Sequence, residues 1–297
     1  NGAYFDNYIG TFTMNGGTVT VSGIPYYNKD ERNENGTQGH YHFGGVEADY
    51  GQIDINGGVL NINMTATPEQ MAKSVYYHAL QSRGRHIGLN GGEINVTGNF
   101  SGTGIKVGED DWNGGTNAWM DFNGATLNMT GSNLYRNAVD IAPNGSVNFN
   151  GGRILAHRAD VTVRGQMNWN GTELNATECG LLVVNGGKAD IHGGWMNIRD
   201  GGFIVDNAYD DKGNLVHRSG LNIHNGYLEL DNSFLYANGD LSMEGGVIDL
   251  SLDYRKLTTD AKRVYAFEIG KHGAVKLSRE AYVEIEGKGE TDGIYND

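Results

Sequence analysis

The tripeptide Asn-Gly-Gly, or a close variant, returns along the chain at Asn15, Asn56, Asn90, Asn123, Asn150, Asn170, His192, His224 and Glu244, each copy named by the residue before the glycines. Subtracting these positions gives steps of 41, 34, 33, 27, 20, 22, 32 and 20 residues. Steps that bottom out near 20 and vary only upward suit a solenoid whose smallest coil is about 20 residues and whose longer coils carry insertions. Aligned on the anchor, four columns are apolar in every copy. One place before it stand Met14, Ile55, Leu89, Phe122, Phe149, Trp169, Ile191, Ile223 and Met243. Three before it run Phe12 to Leu241, four after it Val19 to Ile248, and six after it Val21 to Leu250. The columns between them are mostly polar, as in Thr13, Asp54, Asp121 and Asn148, or Thr20, Asn61, Asn95 and Asn128. Alternation with period 2 on both sides of the turn marks two half-buried strands.

Asn and Gly at the bend fit a tight turn, because both tolerate positive φ. Asn-Gly also suits two-residue hairpins, but a meander does not return the same four columns at coil-length spacing. A second turn precedes several anchors, at Asn144-Gly145, Arg164-Gly165, Asn185-Gly186 and Asn238-Gly239, and Leu181–Val184 reads as a third strand. The expectation is an all-β, right-handed parallel β-helix with three strands per coil. Nine coils at ~4.8 Å make a rod of roughly 43 Å. It reads as a single domain over residues 1–297, with clear repeats over about 10–252 and irregular C-terminal coils over 253–297. In that last part, Phe267–Ile269 and Val283–Gly287 still look like strand pieces.

Composition bounds function. The chain has 47 Gly, 33 Asn and 3 Pro, with 38% hydrophobic residues. A net charge of −14 argues against nucleic acid, which needs clustered Lys and Arg. No apolar run reaches the ~18 residues of a membrane span, so direct membrane insertion is not expected. The chain opens at Asn1 without a basic segment and apolar stretch, which reads as a mature protein or an excised fragment. Cys179 is the single cysteine; it has no intrachain partner and reads as an inert small residue.

The extra length falls after the second strand of a copy and before the next anchor, at roughly 24–50, 66–86, 98–119 and 200–219, which predicts loops and a short helix along one edge of the rod. Loops stacked on a solenoid face are the usual seat of binding. The first segment holds Tyr26, Tyr27, His40, Tyr41 and His42; the second Tyr76 and Tyr77; the third Trp112 and Trp119; the fourth Tyr209, Asp210 and Asp211. In the second, Thr67 as N-cap, Pro68 at N1 and Gln70 at N3 predict a helix over about 68–80. Exposed aromatics among carboxylates suit sugar or protein recognition, so Tyr26, Tyr27, His40, Tyr41, His42, Tyr76, Tyr77, Trp112 and Trp119 are the candidate binding residues.

No catalytic, metal or cofactor site is expected. His40 and His42 lack the three or four convergent ligands of a metal centre, and Glu109-Asp110-Asp111 has no EF-hand spacing around it. No Gly-x-Ser-x-Gly elbow occurs, and no outward column repeats an Asp or an Asp-Arg pair. The eight Asn-x-Ser/Thr triplets are a by-product of abundant Asn.

The unit apolar-x-apolar-Asn-Gly-Gly-x-apolar-x-apolar, as in Ile55-Asn56-Gly57-Gly58-Val59-Leu60-Asn61-Ile62 and Leu89-Asn90-Gly91-Gly92-Glu93-Ile94-Asn95-Val96, resembles the pertactin-like and self-associating passenger domains of Gram-negative autotransporters. The resemblance covers about residues 10–252. It implies export across the outer membrane and surface display or secretion, and that the chain is a passenger fragment. That family includes adhesins, self-associating proteins, toxins and some enzymes, and its motif carries no site residue onto this chain. The expected function is a non-enzymatic adhesin or self-association module, with a host-cell or bacterial surface protein or glycan, or a second copy, as partner. Two alternatives remain: a carbohydrate-active β-helix enzyme (polysaccharide lyase or glycoside hydrolase), recognised by a groove of convergent carboxylates, and a plain stalk.

Overall fold

The alternating columns become strands because β-branched and aromatic residues fit a pleated, half-buried surface. The two strands flanking each Asn-Gly turn lie in different sheets and do not pair with each other. They pair instead with their equivalents one coil away. The computed structural model describes residues 5–6, 10–23, 26–32, 38–48, 51–65, 67–69, 74–98, 102–109, 117–130, 137–253, 265–288 and 294–296. Its strands form three long sheets of 12, 10 and 10 strands, parallel except for the one strand Tyr26–Arg32, and one two-stranded ribbon. The fold is a right-handed parallel β-helix.

The leading sheet stacks the strands before the turn, from Thr11–Met14 to Ala274–Leu277. The following sheet stacks those after it, from Thr18–Gly23 to Tyr282–Lys288. The third sheet runs through Gln38–Ala48, Ser74–Ser82, Thr103–Val107, Asn137–Ile141 and on to Ile294–Asn296. Register preserves the sequence columns: Ile94 faces Leu60 and Leu127, and Asn95 faces Asn61 and Asn128. A tenth coil completes the stack, with Val275 and Leu277 opposite Leu241 and Met243, and Val283 and Ile285 opposite Ile248 and Leu250.

Three sheets enclose six inward columns rather than four. The third sheet adds Val46, Leu80, Ile105, Val139, Val161, Leu181, Phe203 and Leu235 in one, and Ala48, Val107, Ile141, Val163, Val183, Val205 and Ala237 in the other, all buried. Phe122, Phe149 and Trp169 are fully buried in successive coils, with ring centroids 5.7 Å and 4.4 Å apart. The Trp169 indole N–H donates to the Thr172 carbonyl at 2.9 Å, so its one polar atom is satisfied inside the core.

The turn residues divide their work differently from the expectation that both Asn and Gly serve positive φ. The second glycine takes it, at Gly17, Gly58, Gly92, Gly152, Gly194, Gly226 and Gly246. The anchor Asn builds a ladder: Asn56 donates to Asn15 at 2.8 Å, Asn90 to Asn56 and Asn123 to Asn90 at 2.7 Å, Asn150 to Asn123 at 2.9 Å and Asn170 to Asn150 at 2.7 Å. An amide that both donates and accepts is the side chain that can do this in every coil. Where the anchor becomes histidine, a ring stack replaces the ladder: His192 and His224 lie 4.6 Å apart and 2° from parallel.

Much of the supposed insertion length is third strand. The predicted helix over 68–80 is overturned: only Pro68 and Glu69 are helical among the described residues, and Ser74–Ser82 is a strand. The capping signal is local, whereas Leu80, with no exposed surface, is held by stacking on Val46 and Ile105; that pairing outweighs propensity. The remaining detours divide between two corners. Chain between 23 and 38 and between 64 and 74 joins following to third strands, while chain between 107 and 118 and between 205 and 220 joins third to leading strands. The latter includes the ribbon Ala208–Tyr209 with Leu215–His217.

Candidate functional site

Two strands of the third sheet are longer than their neighbours, and the excess gathers most of the predicted binding residues. Thr103–Val107 begins its pairing at His78, so Ser74–Tyr77 extends past the body of the sheet. Gln38–Ala48 extends with it, and Tyr26–Arg32 folds back antiparallel along its outer edge. Tyr26 stands opposite His42, Tyr27 opposite Tyr41, and Asn28 opposite His40. On the other side His42 faces Tyr76 and Phe43 faces Tyr77. Seven of the nine residues singled out in sequence thus lie on three adjoining strands, with Tyr26, His42 and Tyr76 in one row. This three-stranded extension is anchored by the same strands' inner ends, where Val46, Ala48, Ala79 and Leu80 are buried. The expectation that 24–50 is a loop is therefore corrected: Tyr26–Arg32 and Gln38–Ala48 are strands, and Val46 and Ala48 belong to the core.

Trp119 is not in a loop and does not join that group. It lies on the outer face of the leading sheet, in strand Ala118–Phe122, and is 41% exposed. Its ring stacks on His86 at 5.5 Å. The His86 Nε2 is 3.0 Å from an Asp121 carboxylate oxygen, and Nδ1 is 3.9 Å from Asp54. Gly88 occupies the row between the two aspartates, and a Cβ there would come within 2.8 Å of the Asp54 carboxylate and 3.2 Å of the imidazole. The missing side chain is what lets His86 lie across the row. Trp112 falls outside the described residues.

Sequence reading missed a second constellation, on the outward side of the third sheet. Glu47, Gln81, Lys106, Asp140 and Thr162 succeed one another coil by coil, and all are buried although they point away from the core. Arg83 bridges Glu47 at 2.8 Å and Glu109 at 2.7 Å. Arg164 holds Asp140 with two bonds, at 2.6 and 3.1 Å, the bidentate geometry that makes such pairs strong. Aligning third strands would have exposed the row, but variable insertions separate them from the anchor.

Cys179 is buried, with its thiol 3.3 Å from the Thr177 carbonyl oxygen. Burial pushes the thiol up to about 11, so it stays protonated and unreactive. Alkylation by iodoacetamide at pH 8 should be negligible in the folded chain and complete after denaturation. Because the folded value lies above the unfolded one, the unfolded chain ionises first. Stability from this group is therefore full below the ordinary thiol range and declines as pH rises through it.

No family model matches the chain, and no curated protein and no solved structure matches it either.

Proposed function

We propose that the chain is a non-enzymatic adhesin or self-association module, a passenger exported across a bacterial outer membrane and acting at the cell surface or after release. The observation that carries this reading is the convergence of Tyr26, Tyr27, His40, Tyr41, His42, Tyr76 and Tyr77 on three adjoining strands. Aromatic side chains supply large contact areas and are enriched at recognition surfaces. The ladders on the outer faces suit a stiff spacer that holds such a surface away from its attachment point. The partner is a host-cell or bacterial surface protein or glycan, or another copy.

The test replaces Tyr26, His42 and Tyr76 with Ser and, separately, shortens 26–40 to a Gly-containing turn, leaving Val46 and Ala48 in place. Cell aggregation and adhesion should fall while the melting temperature changes little, since loop entropy varies slowly with length. A control changes Thr20 and Asn61, on the outer spine, to Ala. Loss of binding in that control, with full binding in the extension variants, would place the contact on the spine and sink the proposal.

The enzymatic alternative is favoured by one observation, the covered row of Glu47, Lys106 and Asp140 with Arg83, Glu109 and Arg164 beside it. Carboxylates near cations are what glycan-cleaving sites use. Each of these carboxylates is engaged by an arginine: Glu47 and Glu109 by Arg83, and Asp140 by Arg164. Such pairing suits a structural clamp. Pectin, alginate and glycosaminoglycans should therefore yield no new reducing ends or unsaturated products; turnover lost in Asp140→Asn would establish the alternative.

A further inference from the structure

Along most of the following sheet, the outward residue just after the turn is polar or modest: Glu93, Thr126, Arg153 and Glu173 succeed one another in register. From the seventh coil the same column turns aromatic. Trp195 faces Tyr227, Tyr227 faces Val247, and Val247 faces Tyr282. Trp195 is 42% exposed, Tyr227 39% and Tyr282 55%. Three large rings in one exposed line need an explanation that scattered surface apolar residues do not.

The rings are also held down. The Tyr227 hydroxyl donates to Asp249 at 2.9 Å, one coil on and two residues further along. The Tyr282 hydroxyl donates to Glu284 at 3.2 Å, on its own strand. Both hydroxyls are therefore held close to the sheet while a large part of each side chain stays exposed. The neighbouring carboxylates hold both phenols above their ordinary range, Tyr227 chiefly through the bond to Asp249 and Tyr282 chiefly through the charge of Glu284. Glu229, Asp249 and Glu284 follow one another in the adjacent outward column. The result is a line of three exposed rings, interrupted once by Val247, beside a line of carboxylates in three successive coils at the ~4.8 Å coil spacing.

We infer that this strip binds a linear polysaccharide of uncharged or amine-bearing sugars, its sugar faces stacked on Trp195, Tyr227 and Tyr282 and its hydroxyl or ammonium groups donating to Glu229, Asp249 and Glu284. Flat apolar faces beside acceptors match a sugar ring, which is apolar on its face and carries donors around its edge. The carboxylate line repels polyanionic chains. The inference deepens the adhesin reading, and rests on it, by naming a ligand class and a second surface apart from the N-terminal extension.

The experiment is affinity electrophoresis of the whole chain through gels containing xylan, chitosan or alginate. Retardation is expected in xylan or chitosan and none in alginate. Trp195→Ala with Tyr227→Ala and Tyr282→Ala should weaken binding by about tenfold or more, from the loss of stacking, with melting followed in parallel. Should the triple variant melt low, Trp195→Gln alone decides, with a smaller loss expected. No retardation in any gel, unchanged retardation in the stripe variants, or stronger displacement by oligolysine than by xylan or chitosan fragments would overturn the inference. The extension variants tested for aggregation should keep wild-type retardation. Failure of aggregation and failure of polysaccharide binding are thus read on different residues and in different assays.

Discussion

Phe149→Asp is expected to destroy the cooperative packing of the central coils. Phe149 has no exposed surface and sits between Phe122 at 5.7 Å and Trp169 at 4.4 Å. Removing a buried Phe ring alone costs about 3–5 kcal/mol. An unpaired carboxylate among apolar side chains adds several more, on the order of the penalty for stripping an ion of water. Together these rival the ~5–15 kcal/mol that holds a typical domain. In a stacked rod each coil touches only its neighbours, so damage should centre on coils four to six. Limited proteolysis should cut near residues 122–170, and near-ultraviolet dichroism from the Trp169 environment should vanish. Phe149→Leu, which keeps an apolar side chain, should retain the fold at reduced stability. A Phe149→Asp chain with the wild-type denaturation midpoint would contradict this packing.

Gly92→Ala should cost far more than Gly17→Ala, although both glycines hold the same place in the turn. Their φ values are +83° and +76°, so an L residue pays the left-handed penalty of about 1–2 kcal/mol at either position. They differ in what lies in front. A Cβ on Gly92 would come 2.7 Å from the Gly58 carbonyl oxygen and 2.9 Å from the Gly57 carbonyl carbon, while one on Gly17 meets nothing within 4 Å. Backbone of the adjacent coil cannot rotate away as a side chain can. Relief requires the coils to part, which strains the Glu93 N–H to Gly58 bond at 2.9 Å and the Asn90 to Asn56 amide bond at 2.7 Å. A total of about 3–5 kcal/mol is expected at Gly92, the range of a severe core defect, read as a shift in the urea midpoint. Equal shifts for the two variants would mean that φ alone selects glycine here and that the close approach is relieved without cost.

Strand propensity and a repeating turn made the rod legible before any coordinates. The columns through Ile55, Leu60 and Ile62 and their equivalents are all inward, and the weak pieces at Phe267–Ile269 and Val283–Gly287 belong to strands. Two misreadings share one cause. The stretch at 68–80 carries a helix-start pattern, and the anchor Asn carries a turn pattern; both are local signals. Ser74–Ser82 is a strand because a coil lies on each side of it. The anchor Asn is an amide ladder because another Asn lies one coil away in each direction.

The sequence by itself determined the coil: four inward columns, a tight bend with glycine at its second place, and a period that permits stacking, because alternation and turn chemistry act within a few residues. Only the tertiary structure decided which residues meet between coils. Third strands stand at variable distances from the anchor, so their register is set by stacking, and with it the row from Glu47 to Thr162 and the convergence of Tyr26, His42 and Tyr76. Trp195 and Tyr227 stand three residues after their anchors in sequence, but Tyr282 joins their line only through the register of the tenth coil, which has no anchor triplet. The line's meaning came from exposure and from hydroxyls tied to Asp249 and Glu284, contacts between coils or along a face that linear order does not encode.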